Sequence, residues 1–334
     1  MWDEIIVPLT RYAFETYPGE IKFGITTNGT LLNEERIKFM YDYQITPLLS
    51  IDGAPETQNH NRPCKNRSMQ SFDLVSKNIP LILKYFPNTT FRGTIDEHMV
   101  DKVFENYIFA QYLGFKNIYF MPNCRKPWRE SSLWFLEREF KKISLYMIQS
   151  FQKGKYPPLF SPMLDSFKRI KKHNEKILFN KKSSRSANRC GLGTGMGSIG
   201  YDGSIYGCQE QDSLGHDSFF YLGNIYDGID IEKHKQFLQE YVDVEKVTCA
   251  EKPDYCNNCP LASLCGELNC PSSSQDLYHS FAKDSYVHCF WLRTMYEQAI
   301  VILKYLDENP TFRNYLRDFC GYDFLSKEDE ANGM

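Results

Sequence analysis

Four cysteines stand within residues 253–270, "PDYCNNCPLASLCGELNC", with gaps of two, five and four residues between Cys256, Cys259, Cys265 and Cys270. Zinc asks for four tetrahedral donors, and this run alone contains them. Iron–sulfur clusters ask for the same number, held in turns whose N–H groups face the sulfur. The local spacing does not choose between the two metals. The surroundings raise the count: Cys190, Cys208, Cys249 and Cys289 share the same 100-residue window, which holds eight of the chain's eleven cysteines. Eight thiolates are what two clusters would use, whereas one zinc ion would leave half of them idle. Cys64, Cys124 and Cys320 lie outside the window, and each is expected to be a small buried apolar residue.

Compartment decides between metal and disulfide. The start, "MWDEIIVPLT", lacks a basic region before its apolar residues, so it does not read as a signal peptide. No apolar run reaches the roughly 18 residues of a membrane span. The chain reads as cytoplasmic, where thiols stay reduced and ligate metals. The net charge of −3 gives no global attraction to nucleic acid or to anionic membrane, and neither is expected as a partner. A basic stretch at 168–189 reads as a solvated helix and loop. With 334 residues, 42% of them hydrophobic, the chain can fill a core and divide into two domains.

The elements that must position these thiols change halfway along. Apolar spacing predicts a helix over 2–17, then a strand over 21–27. Asn33 caps a helix over 34–43. Further strands follow at 46–51, 90–95 and 116–121, the last stopped by Pro122. Between them stand a long loop, a helix near 69–86, and a helix over 100–113 that ends at Gly114. This alternation implies βαβ units and a parallel α/β sheet whose strand C-termini share one edge. The polar residues there are Thr26, Thr27 and Asn28, then Ser50 and Asp52, then Arg92 and Thr94, then Asn123, a candidate ligand edge. Helices and a basic linker follow over 126–185. From 186 the texture is glycine, cysteine and short strands, with a hairpin at Asp202-Gly203. A last long helix spans 286–306, and the tail after 324 is charged.

The order Cys190…Gly203-x4-Cys208, then Cys256-x2-Cys259-x5-Cys265-x4-Cys270, then Cys289 resembles the SPASM domain of radical S-adenosylmethionine enzymes. "GNI" at 223–225 sits where that family has it, while the last local gap is four residues where three is usual. "TTNGTLL" (26–32) and "SIDGAPETQNHNR" (50–62) are similar to the ends of the third and fourth strands of the family's catalytic barrel. The resemblance implies a partial (β/α)6 barrel, strands 3–6, over 1–125 and a helical linker to 185. A SPASM domain over 186–292 and C-terminal helices over 293–334 would follow. It also implies S-adenosylmethionine contacts at Ser50 and Arg92, with Thr26, Asn28 and Asp52 behind them. Two auxiliary 4Fe–4S clusters are implied. One would take Cys190, Cys208 and Cys270 and is a thiolate short, a place open to a peptide thiol or to Cys249. The other would take Cys256, Cys259, Cys265 and Cys289.

Two family elements are absent from the sequence: the Cys-x3-Cys-x2-Cys loop that holds the cleaving cluster, and the Gly-Gly-Glu-Pro segment. The chain is therefore expected to be a fragment beginning past the second strand and inactive as given. S-adenosylmethionine cleavage and a third 4Fe–4S cluster would belong to the complete parent. Sulfatase-maturing members carry an aspartate base directly after the cysteine that matches Cys208. Here Gln209 cannot take a proton, and Glu210 is the candidate substitute. The resemblance thus implies maturation of a ribosomal precursor peptide, such as thioether crosslinking, with a flavodoxin- or ferredoxin-type electron donor. Its rivals are the sulfatase-maturing activity, a zinc-stabilised binding module, and a non-catalytic peptide-recognition partner.

Overall fold

The structure, a computed structural model, describes residues 1–178, 191–211, 215–242, 244, 247–259, 261 and 270–321, the side chains of 172–178 excepted. Cys190, Cys265, the basic stretch beyond 178 and the tail after 324 lie outside the described residues. The chain forms two compact units. One comprises Met1–Asn123, Glu130–Lys172 and Thr294–Met334; the other comprises Cys124–Arg129 and His173–Arg293.

In the first unit a π-helical turn, Trp2–Ile6, runs into α1 (Val7–Thr16). Strands and helices then alternate: β1 (Gly24–Thr27), α2 (Glu34–Asp42), β2 (Thr46–Ser50), α3 (Pro55–Asn61), α4 (Ser71–Ser76), α5 (Ile79–Tyr85) and β3 (Thr90–Ile95). They continue with α6 (Val103–Tyr112), β4 (Asn117–Pro122), α7 (Glu130–Gln152), β5 (Leu159–Phe160) and α8 (Ser161–Leu178), whose residues from His173 on belong to the second unit. The five strands form one parallel sheet in chain order, β1 to β5, so the α/β reading holds. Asn33 caps α2 as expected, its side chain accepting the N–H of Arg36 at 2.9 Å. Gly114, at φ +94°, follows the end of α6.

Three local expectations change. The helix near 69–86 is two helices, because Pro80 has no N–H to donate and sits in the first turn of a new one, α5. The loop before it contains α3, whose polar "PETQNHN" carries no apolar period. The strand β5 is two residues long, too short for alternation to register.

One face of the sheet is packed: Leu49, Phe91 and Ile118 are fully buried. Phe91 meets Phe115 and Phe120 edge-on, at centroid distances of 5.1 and 6.0 Å. Each buried ring contributes about 1.5–3 kcal/mol. The opposite phase carries Thr26, Ser50, Arg92, Thr94 and Tyr119, of which Thr26, Arg92 and Thr94 are exposed. Pleating alone thus puts these polar residues on a common face.

The second unit pairs β6 (Ser198–Ile199), β7 (Ser204–Tyr206), β8 (Tyr221–Asn224) and β9 (Gly228–Ile229) as an antiparallel sheet. Then come α9 (Ile231–Val242), β10 (Thr248–Cys249), α10 (Pro271–Tyr278), β11 (Lys283–Asp284) and the first turns of α11 (Tyr286–Leu306). The rest of α11 and α12 (Pro310–Tyr315) belong to the first unit. Leu192, Tyr206, Phe220, Leu222, Phe237, Tyr241 and Phe281 make the second unit's apolar cluster.

The glycines of the cysteine motif have a physical cause. Gly203 turns the hairpin at φ +87°, and its carbonyl accepts the N–H of Ile225 at 2.9 Å. That bond continues the β7–β8 ladder, in which Ser204 faces Asn224 and Ile205 faces Gly223. Gly223 itself sits at φ +143°, and a Cβ there would strike the carbonyl of Gly228. So the Gly203 and "GNI" signals, twenty residues apart, are two sides of one strand pairing.

Among the described residues no helix is long and apolar enough to cross a membrane. Gly223→Ala is expected to destabilise the protein by about 1–3 kcal/mol in urea denaturation. Gly215→Ala, in open space at φ +78°, should cost less.

Candidate functional site

Each unit offers one candidate site. On the first, register places Ser50 of β2 beside Arg92 of β3, and Arg92 beside Tyr119 of β4. The Arg92 guanidinium lies 5.7 Å from the Tyr119 ring centroid, a cation–π distance that steadies an exposed cation above the sheet. Ser50 is 9% exposed. Thr26 pairs with Leu48, one position out of line with Ser50 along the same face. Sequence reasoning missed Tyr119, although its period-two position in "KNIYFM" matches that of Arg92.

Asn28 and Asp52 are engaged differently. The Asn28 side chain accepts from both the N–H and the hydroxyl of Thr30, at 3.1 and 2.8 Å, as a turn residue does. Asp52, 5% exposed, accepts from Arg62 Nε and Nη2 at 2.9 and 3.0 Å and from the Thr94 N–H at 2.9 Å. Its own N–H donates to Gln58 Oε1 at 2.8 Å. Three donors occupy the two carboxylate oxygens, so Asp52 clamps the end of β2 to β3 and α3. Arg62, four residues past Gln58 in the same segment, was missed as its partner. A cavity beside Asp52, lined by Thr57, Thr94, Asn106 and Phe120, has room for only about one water. The open sheet face, rather than this cavity, can receive a ligand.

All nine described cysteines are thiols outside any disulfide, and seven of them belong to the second unit. Six of those seven form two groups. Cys249 ends β10, and its N–H donates to Cys256 Sγ at 3.3 Å. A hydrogen bond with Cys289 draws the Cys249 thiol down to about 7 against the effect of burial. Cys289 lies in the first turn of α11, where its N–H meets the Ser285 carbonyl at 3.0 Å. Cys259 closes the short turn after Cys256, its N–H 3.4 Å from the Cys256 carbonyl. Glu251 ties this group together, accepting from Tyr278 Oη at 2.6 Å and from the Tyr286 N–H at 2.8 Å. Cys249, one of the two thiols expected as alternatives for the open place beside Cys208 and Cys270, contacts Cys256 and Cys289.

The other group holds Cys208, just past β7, and Cys270, at the N-cap of α10. Burial raises the Cys208 thiol above its ordinary range, and the charge of Cys270 raises it further. Buried Gln211 donates through Nε2 to the Ser272 carbonyl at 3.4 Å and to its hydroxyl, joining the two segments. Glu210, the candidate base, is exposed and ion-paired with Arg125 Nη2 at 3.3 Å.

Among the described residues no three His, Cys, Asp or Glu side chains come close enough together to hold a metal ion. A backbone N–H aimed at sulfur, as at Cys256, and a thiol ionised near neutrality, as at Cys249, are the features iron–sulfur cages use.

Arg62→Ala strands the Asp52 carboxylate in the interior and is expected to cost about 3 kcal/mol in chemical denaturation. Combining it with Asp52→Ala should cost less than the sum of the two single changes, which a double-mutant cycle reads directly.

Neither a protein-family model nor a curated protein matches the sequence. Solved structures do. Native anSMEcpe with bound AdoMet superposes with a TM-score of 0.64 at 20% identity, over 95% of this chain and 81% of that one. Native anSMEcpe with bound AdoMet and Cp18Cys peptide gives 0.63 at 22%, over 92% and 82%. SuiB of Streptococcus suis bound to S-adenosylmethionine gives 0.50 at 15%, over 85% and 62%. What this chain shares with these proteins is their fold.

Proposed function

We propose that this chain carries the cluster-binding and peptide-handling part of a radical S-adenosylmethionine enzyme that modifies a ribosomal peptide in the cytoplasm. The observation that carries this reading is the sorting of the C-terminal thiols into two groups on a fold shared with anSMEcpe. In this reading β1–β4 are strands 3–6 of the barrel, with the two-residue β5 added beside β4, and the second unit is the SPASM domain. The AdoMet and peptide bound to anSMEcpe support the same two ligand classes here.

The chain's own residues divide the work. The Ser50–Arg92–Tyr119 row would bind S-adenosylmethionine, with the guanidinium meeting its carboxylate and the Ser50 hydroxyl a neighbouring polar group. Thr26 borders that row, while the Asp52–Arg62 clamp keeps the strand ends in place. Cys249, Cys256, Cys259 and Cys289 would hold one auxiliary cluster, with Cys265 as a further thiolate from the sequence. Cys208 and Cys270 would hold the other, together with Cys190. When bound, such clusters would accept one electron at a time and so could take the surplus electron of a substrate radical, while a flavodoxin- or ferredoxin-type partner would serve as electron donor. Initiating the radical needs the Cys-x3-Cys-x2-Cys spacing, which is absent from these 334 residues, so that step is assigned to none of them.

Gln209 cannot accept a proton, and Glu210 is held by Arg125. Neither is placed as a dedicated base, which favours peptide crosslinking over the sulfatase-maturing reaction.

Anaerobic reconstitution with iron and sulfide is expected to yield brown protein with two 4Fe–4S clusters. Cys256→Ser should lose about half of that iron. A colourless protein that takes up zinc and no labile sulfide would replace this reading with the binding module.

A further inference from the structure

The antiparallel sheet of the second unit buries one face and leaves the other apolar and open. Ile199 of β6 stands opposite Ile205 of β7, Ile205 opposite Gly223 of β8, and Gly223 opposite Ile229 of β9. Opposed residues of an antiparallel pair point to the same side, so these make one row across the sheet. Ser204 and Tyr206, which flank Ile205, are buried on the other side. Within the row Ile199 is 66% exposed, Ile229 is exposed and Ile205 is half-buried. Gly223 leaves a gap between two isoleucines.

The hairpin tips extend this row. Tyr201 is fully exposed and Tyr226 is 81% exposed. A Cβ on Gly203 would lie 2.9 Å from the Ile225 side chain and 3.3 Å from the Tyr226 ring, so both lean over the turn that carries Tyr201. Single apolar residues are ordinary on a protein surface, whereas several on one sheet and its turns mark a contact surface.

Charge says what it contacts. Residues 191–232 contain seven carboxylates and no lysine or arginine. Exposed Asp202, Asp227 and Asp230 directly follow Tyr201, Tyr226 and Ile229. The lysines of α9 that come next are engaged, Lys235 with Glu232 at 2.8 Å and Lys233 with the Ser218 carbonyl at 3.4 Å. His216 faces Asp202 at 3.3 Å. Such a surface repels anionic membrane and nucleic acid, and a second copy of it would set carboxylate against carboxylate.

We propose that this sheet face docks a basic peptide segment. Its lysine or arginine side chains would meet Asp202, Asp227 and Asp230, and its apolar side chains would sit on the isoleucine row and the two tyrosines. The docking goes beyond the cluster reading and needs no metal.

The test titrates the full chain into a fluorescein-labelled octapeptide of alternating lysine and leucine and reads fluorescence anisotropy. Lysine–serine and glutamate–leucine counterparts probe the apolar and the charged part of the surface separately. The lysine–leucine peptide is expected to bind about tenfold tighter than either counterpart and to weaken as salt is raised. Tyr226→Ser and Asp227→Lys, both at an exposed turn, should each weaken it about tenfold. Tyr112→Ser, at an exposed tyrosine of the first unit, should leave it unchanged. Far-UV circular dichroism checks that each variant is folded, and Tyr201→Ser on the other hairpin replaces any that is not. Absence of binding, or equal binding by wild type and the turn variants, overturns the proposal. So does a dimer in sedimentation that Tyr226→Ser dissociates, because the occupant is then a second copy. Iron and sulfide measured in reconstituted samples report on the cluster reading separately, so either can fail alone.

Discussion

Thiols gathered into one small unit must keep their protons or find positive charge. Two unit charges about 8 Å apart repel by about 2 kcal/mol at an effective dielectric constant near 20. The second unit shows both responses. Burial and the nearness of Cys270 keep a proton on Cys208, while hydrogen bonding from Cys289 lets Cys249 ionise near neutral pH. The backbone N–H of Cys249 aimed at Cys256 adds partial positive charge where a sulfide cage would otherwise draw it. Arg125 supplies a full positive charge, spent on Glu210 and Asp276 rather than on sulfur. The protein uses that cation to fix backbone segments.

The first unit answers a different constraint. A parallel sheet packed by helices on one face leaves the other face to be filled by a ligand, by substrate or by more protein. Here that face is polar where the strands end, and the row of Ser50, Arg92 and Tyr119 follows from register alone. Asp52 borders that row without joining it. Its oxygens are saturated by Arg62 and the Thr94 N–H, so its part is to hold the geometry in which Ser50 and Arg92 are neighbours.

Much of this was legible in the chain. Helix and strand repeats are local, written within a few residues, and gave the parallel α/β order and the cap at Asn33. The glycine signals were legible as pattern and became explicable as structure. Gly223 is needed because a Cβ there would strike the Gly228 carbonyl of the β8–β9 pairing, and Gly203 because it turns at positive φ against the Ile225 side chain. What escaped was either too short or too polar for a period, as in β5 and α3, or depended on a partner far along the chain. Nothing local in "QNHNR" marks Arg62 as the mate of a carboxylate ten residues earlier.

By itself the sequence determined the number of thiols, their spacing, and the alternation that builds the sheet, because each is a property of neighbours along the chain. Only the tertiary structure decided which thiols meet. It sent Cys249 to Cys256 and Cys289, and it brought the loop after β4 to the segments of Cys208 and Cys270 through Arg125. Convergence of that kind is set by packing and ion pairing between distant segments, and those energies leave no periodic mark in the sequence.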